Sequence, residues 1–443
     1  MNITISPVPR LEGQITPPGD KSISHRSVIL NSFATGTAHV SNFSPGADCY
    51  STVECLQAMG TQVAIEQGED GPTGNLIVTG GGPQGFSEPK DVLNAGNSGT
   101  TMRLLSGLLA AQPFFSVLSG DASLRTRPMD RIVIPLSLMG ARISGRGHNS
   151  LAPLAILGGD LKGITYSMPV ASAQLKSAIM IAALFAQGET TIIEPAPSRD
   201  HTELMITAMG ASVYKDGSAI IVKPMTSLRA VDVAVPADIS GAAFWLVAGA
   251  IHPQSRVTVK DVGVNPSRTG ILDVLRDMGA ELYIEEKGER GGEPVADITV
   301  TSSPLRGVEI YGDMIPRVID EIPVLAVAAS VAKGVTRIRD ASELRVKESD
   351  RIATTAQELN RLGAMIEELP DGMVIHGGRR LLGAECDSHG DHRLAMALGV
   401  ASLAATGTTV VRGAEVAEIS YPAFWKDLGK LTGTIPASPS TSR

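Results

Sequence analysis

Three cysteines stand in this 443-residue chain, Cys49, Cys55 and Cys386, and none belongs to a C-x-x-C pair. So few, and an odd number, argue against a disulfide framework and fit reduced thiols in a cytosolic protein. Aromatic residues are as scarce, at 4%. Successive bases would find no stacking platform, and a net charge of −8 supplies no basic stripe, so no nucleic-acid partner is expected. Long hydrophobic runs are missing too: the longest, such as 242–251, fall well short of a membrane span. No membrane partner is expected. Residues 1–10 have neither a basic cluster leading into an apolar run nor a small-residue cleavage site, which points to no secretion signal and a cytoplasmic protein. The acidic balance also sets a condition. To bind small polyanions, this chain must bring its Lys and Arg together locally, because its overall field repels them.

What is present is length and repetition. The chain exceeds the size at which single cores stop growing, so two or three domains are expected. The phrase Leu-x-x-Met-Gly plus an apolar position appears as LQAMGTQV from Leu56, LSLMGARI from Leu136 and LRDMGAEL from Leu275. Looser copies are ITAMGASV from Ile206 and LNRLGAMI from Leu359, and LGKLTGTI from Leu428 is a degenerate sixth. A second phrase, ATGTAHV from Ala34, AQGETTI from Ala186, AKGVTRI from Ala332 and ATGTTVV from Ala405, follows Ala- and Leu-rich runs. Both read as a helix ended by glycine and then a β-branched strand. The period is too long for a solenoid, so six small α/β subdomains are expected, dividing as three plus three. The boundary falls near 235–240. Residues 20–235 would form one half, and 1–19 with 236–443 the other. The tail from Pro436 is expected to be disordered.

Several segments place cations or acids where helices should start. In PGDKSISHR, Lys21, Ser22 and Arg26 stand at a strand-to-helix junction, either as an anion cradle or as a capped helix start with solvated cations. It is not a Walker A loop, since Asp20 separates Gly19 from Lys21. NAGNSGTTMR puts Gly99 and Arg103 ahead of an apolar helix 104–111, and a cation in its first turn opposes the helix dipole unless an anion or acid compensates. GDASLRTRPM adds Arg125 and Arg127 in a loop; VASAQLK offers Ser172, Ala173 and Gln174, as ligands or as ordinary capping. IDEIP sets Asp320 and Glu321 before an apolar run. In LRVKESDR, Lys347 and Arg351 would share a helix face beside Glu348, or form a surface charge ladder. SHGDHR clusters His389, Asp391, His392 and Arg393. No third ligand at recognisable spacing accompanies the two histidines, so no metal is expected.

Taken in order from about residue 7 to residue 425, PGDKSISHR, GNSGTTMR, RPM, ASAQLKS, RDHTE, NPSRTG, IDEIP, LRVKESDR and HGDHR resemble the 5-enolpyruvylshikimate-3-phosphate synthase family. That resemblance implies an α/β fold of two domains in an inside-out barrel, each of three βαβαββ repeats, joined by a double crossover. It implies a transferase of the shikimate pathway to chorismate and aromatic amino acids, with no cofactor and no metal, acting as a monomer on two small molecules. Contacts to shikimate 3-phosphate would map onto Lys21, Ser22, Arg26, Ser172, Ala173, Gln174, Ser198, Asp320 and Lys347. Those to phosphoenolpyruvate would map onto Lys21, Gly99, Arg127, Gln174, Arg351 and Arg393. Many members have a second serine where this chain has Ala173, and some have a lysine where it has Ile419. In the chemistry so implied, Asp320 accepts the proton of the 5-hydroxyl, and Glu348 with Lys21 serves the methylene carbon, or the two acids exchange roles. A relative acting on UDP-N-acetylglucosamine would usually carry a cysteine within 120–129, and none is there. A non-catalytic phosphate-binding module would not need the two acids. The resemblance finally implies sensitivity to glyphosate, because Gly99 leaves open the space that an alanine fills in tolerant relatives.

Overall fold

The computed structural model describes residues 1–68 and 71–433; the expected disordered tail from Pro436 lies outside the described residues. The chain divides into two compact units, one of residues 1–18, 236–289 and 293 onward, the other of residues 19–235 and 290–292.

In the 19–235 unit three four-stranded sheets repeat one plan. In the middle one, the short strand Leu93–Asn94 runs parallel to Phe115–Ser119, which pairs antiparallel with Leu151–Leu157, itself antiparallel to Arg142–Gly145. Helix Gly99–Ala110 crosses between the parallel strands, and helix Asp130–Met139 leads into the hairpin. The third sheet repeats this with Thr165–Ser167, Thr190–Ile193, Ala219–Val222 and Val213–Asp216. In the first sheet, the opening strand is supplied from far along the chain. Val233–Ala234 pairs parallel with Thr35–Ser41.

The Leu-x-x-Met-Gly phrases close helices as read. Helix Asp130–Met139 ends on Gly140 at φ 117, a left-handed conformation that suits glycine, and strand Arg142–Gly145 follows. Helices come in two kinds. Those such as Asp130–Met139 keep one face exposed, whereas Lys21–Ser32, Gly99–Ala110 and Ala173–Phe185 are buried almost end to end, with the sheets outside them. Their close approach depends on glycine. A Cβ at Gly107 would lie 2.3 Å from the carbonyl oxygen of Ala178 on the neighbouring helix.

The second unit repeats the plan around the buried helices Ile239–Ile251, Ile322–Val331 and His392–Ala404. Its first sheet takes Leu11–Ile15 as the opening strand, parallel to Ser255–Gly263. Its third sheet has three strands among the described residues. Asn2–Ile5 pairs with Thr409–Arg412 where the other repeats use a hairpin strand, and the degenerate sixth phrase ends helix Phe424–Thr432. Among the described residues no helix is long and apolar enough to cross a membrane.

Candidate active site

Most candidate residues of the 19–235 unit stand near the starts of its three buried helices, while Arg127 and Ser198 come from loops. Asp20 caps Lys21–Ser32, accepting from the amide of Ile23 at 2.9 Å, and leaves Lys21 and Ser22 in the first turn. Lys21 Nζ lies 2.9 Å from Asp48 Oδ2. Arg26 is buried. It donates to Thr202 Oγ1 at 2.7 Å, Ser177 Oγ at 2.7 Å and the carbonyl of Ser22 at 2.9 Å, so it ties the first helix to Ala173–Phe185 and His201–Ala208. Next to it His25 shares a 2.7 Å hydrogen bond with Thr52. Burial, with the charges of Lys21 and Arg26, holds its pKa well below the ordinary 6.5, so it is neutral.

Helix Gly99–Ala110 starts earlier than the sequence suggested. Ser98 caps it, accepting from the amide of Thr101 at 3.1 Å, which makes Gly99 the first helical residue and puts Arg103 in the second turn rather than the first. Helical side chains lean toward the N-terminus, so Arg103 reaches back over Gly99, four residues earlier. Arg127 approaches the same place. Where a Cβ would stand on Gly99, Arg103 Nη1 is 2.7 Å and Arg127 Nη1 is 3.5 Å away. Two guanidinium groups and the positive end of a helix thus meet at one point, an arrangement that favours an anion. Asn97 and Ser123 hold Arg127 through hydrogen bonds of 2.6 and 3.2 Å to Nη2.

Ser172 caps Ala173–Phe185, accepting from the amide of Leu175 at 3.4 Å, so capping and the proposed ligand role fall on one residue. Gln174 Nε2 donates to Thr100 Oγ1 at 2.9 Å. Ala173 begins the helix and offers its backbone. Ser198 donates to Glu194 Oε1. Lys176, fully buried, binds Glu194 at 3.2 Å, Glu203 at 2.6 Å and the carbonyl of Ser198 at 3.3 Å. Burial pushes Glu203 up, against the pull of Lys176.

In the other unit the organising group is Arg351. It is 2% exposed and meets three carboxylates: Asp391 Oδ2 at 2.8 Å from Nε, Glu348 Oε2 at 2.6 Å from Nη2, and Asp320 Oδ1 at 3.5 Å from Nη1. Burial alone would lower its pKa, but Asp391, Glu348 and Asp320 outweigh this and raise it. The two candidate proton-transfer acids, 28 positions apart by number, are therefore brought to a single cation. The weakest of the three contacts is at Nη1, which leaves that end of the guanidinium the most open to a further acceptor. Arg393 lies in the first turn of His392–Ala404, with its amide 2.9 Å from Asp391 Oδ1.

A second expectation fails. Lys347 and Arg351 do not share a helix face, because Asp350 caps the helix, accepting from the amide of Ala353 at 3.1 Å, and helix Arg351–Arg361 begins only there. Lys347 ends the preceding 3-10 turn in extended conformation, with Glu343 3.8 Å from its ammonium. Glu348 still reaches Arg351 by folding back from that connecting segment. Asp391, which in the sequence stands out only as a member of the SHGDHR cluster, caps its helix and holds Arg351. Its place two residues before Arg393 was the available signal. Among the described residues no group of three or more His, Cys, Asp or Glu could hold a metal.

Residues 5–428 match the family model for EPSP synthase (3-phosphoshikimate 1-carboxyvinyltransferase). A 3-phosphoshikimate 1-carboxyvinyltransferase of Desulforudis audaxviator is 55% identical over 432 residues, covering 97% of this chain and 99% of its own. The enzyme of the same name from Gloeobacter violaceus is 54% identical, covering 97% and 98%. Among solved structures, EPSP synthase from Acinetobacter baumannii superimposes with a TM-score of 0.86 at 41% identity, covering 99% of this chain and 100% of that one. The enolpyruvyl transferase NikO from Streptomyces tendae shares the fold at 19% identity, with a TM-score of 0.79 over 97% of each chain. On these matches the chain belongs to the EPSP synthase (3-phosphoshikimate 1-carboxyvinyltransferase) family.

Proposed function

We propose that this protein transfers the enolpyruvyl group of phosphoenolpyruvate to the 5-hydroxyl of shikimate 3-phosphate and releases inorganic phosphate. One observation carries the reading beyond family membership: Asp320 and Glu348 are held on one buried arginine. A module that only binds phosphate has no use for that pair. In the proposed reaction the 5-hydroxyl oxygen bonds to C2 of phosphoenolpyruvate as Asp320 takes its proton, and the methylene carbon C3 gains a proton from Glu348. The tetrahedral adduct then returns a proton from C3 to Glu348, the C2–O bond to phosphate breaks as the leaving oxygen takes up the proton held by Asp320, and the double bond re-forms. Arg351, by its hydrogen bonds, would orient both acids.

Lys21, Ser22, Arg26, Ser172, Ala173, Gln174, Ser198, Asp320 and Lys347 are proposed to hold shikimate 3-phosphate, and Lys21, Gly99, Arg127, Gln174, Arg351 and Arg393 to hold phosphoenolpyruvate. Each charge-assisted contact would contribute about 1.5–3 kcal/mol. The convergence of Arg103 and Arg127 on Gly99 supports the second set. We also propose a cytoplasmic monomer inhibited by glyphosate in competition with phosphoenolpyruvate. Phosphate release from phosphoenolpyruvate, measured with shikimate 3-phosphate and separately with UDP-N-acetylglucosamine, tests the function. Release with the second acceptor alone would refute it.

A further inference from the structure

Arg103 belongs to neither set of proposed ligand contacts, yet it is 8% exposed and bonds two segments that carry such contacts. Its Nη1 donates to Gln174 Oε1 at 2.7 Å, and its Nη2 to the carbonyl of Pro128 at 3.3 Å. The first bond settles which way the Gln174 amide faces. Oε1 is turned to the arginine, and Nε2 becomes the donor, with one hydrogen on Thr100 Oγ1 and a second available to an acceptor. The second bond anchors the residue following Arg127. The same Nη1 lies 2.7 Å from the place a Cβ on Gly99 would occupy, closer than carbon and nitrogen approach without a shift. Gly99 and the guanidinium of Arg103 therefore depend on each other. Glycine leaves the guanidinium room to lie across the helix start, and in that place it fixes Gln174 Oε1 while Thr100 takes Nε2.

Resting on the functional reading above, we propose that Arg103 is a positioning residue for phosphoenolpyruvate, and that Gly99 serves this by leaving room for its guanidinium. A methyl group at position 99 then acts at one remove: it drives the guanidinium off Gln174 and changes which hydrogen the amide presents to the ligand. Shikimate 3-phosphate, with several other proposed contacts, is affected less.

The test is a double-mutant cycle on steady-state kinetics with both substrates, using Gly99→Ala, Arg103→Met and the double variant. Each single variant should raise KM for phosphoenolpyruvate about tenfold, the loss of roughly one charge-assisted hydrogen bond. KM for shikimate 3-phosphate should move less than about threefold, since its other contacts stay in place. Because both act through one bond, the double variant should be no more than about twofold worse than the weaker single variant. A double variant whose defect is the product of the two overturns the proposal, as does an equal rise in both KM values, which would signal general loosening. If Arg103→Met does not fold, the crystal structure of Gly99→Ala decides: a guanidinium still bonded to Gln174 Oε1 overturns the proposal, and one displaced from it supports it. A wild-type protein that releases no phosphate with either acceptor overturns the functional reading itself, and this inference with it; an active wild type with multiplicative variants overturns the inference alone.

Discussion

Asp391→Asn takes a single negative charge from beneath Arg351 while changing almost nothing in shape. Asp391 is fully buried. Its Oδ2 accepts from Arg351 Nε at 2.8 Å and Ser349 Oγ at 3.1 Å, and its Oδ1 from Arg351 Nη2 at 3.3 Å and the amides of Arg393 and Leu394 at 2.9 and 3.4 Å. Asparagine is itself a good helix cap, so its carbonyl oxygen can keep the Oδ1 bonds. Its NH2 must then face Arg351 Nε, donor against donor. Turning the amide over relieves that contact but points the NH2 at two backbone amides. Neither arrangement is satisfied, and a buried guanidinium loses one of its charged partners, a change that costs about 3–5 kcal/mol. Urea unfolding followed by tryptophan fluorescence measures this cleanly, because Trp245 and Trp425 are the only tryptophans and both lie in the unit that contains Asp391. The midpoint should fall, and the extrapolated stability with it. Turnover should fall by about a hundredfold, as a misplaced Arg351 no longer holds Asp320 and Glu348 in register. Ser349→Ala, which removes a neutral hydroxyl from the same carboxylate, should cost only about 1 kcal/mol. A loss below about 1 kcal/mol for Asp391→Asn, or equal losses for the two variants, would refute the charge argument.

His25 gives a pH dependence of definite sign. Its folded pKa is depressed by burial and by Lys21 and Arg26, so below about pH 6.5 the unfolded chain binds a proton that the folded one refuses. The stability it supports is complete above that pH and lost as pH falls, by up to about 1.4 kcal/mol per unit; a His25→Asn variant with the same slope between pH 7.5 and 5 would count against this. The thiols should be inert in the native state, since burial raises Cys55 and Cys386 to about 12 and Cys49 higher still. Rapid labelling of any of them at pH 8 without denaturant would contradict that expectation. Gly107→Ala should destabilise its own unit by about 1–3 kcal/mol, because the added methyl would sit 2.3 Å from the carbonyl of Ala178 and two buried helices must separate. Native-like thermal stability in that variant would mean the crossing is looser than described.

The sequence by itself determined the repeated pattern of helix, glycine and strand, and the residue types available for chemistry. Those signals are local. A glycine such as Gly140 ends its helix whatever lies beyond it, and Asp20, Ser98 and Asp391 cap helices that begin within three residues of them. Even a local pattern misleads where a cap falls inside a charged run. The charges of 347–351 suggest one helical face, yet Asp350 starts the helix too late for Lys347 to share it.

Only the tertiary structure decided which of these groups meet. Strand Val233–Ala234 completes a sheet begun at Thr35, and Leu11–Ile15 one begun at Ser255, pairings whose partners lie too far apart for any periodicity to announce. Arg26 finds Thr202 and Ser177, Arg103 finds Gln174, and Arg351 finds Asp391 and Asp320. The reason is energetic. Burying a guanidinium is tolerable only where carboxylates, amide oxygens or hydroxyls from other helices converge on it. That convergence is set by how tightly packed helices cross, a property of the core and not of the segment that carries the arginine.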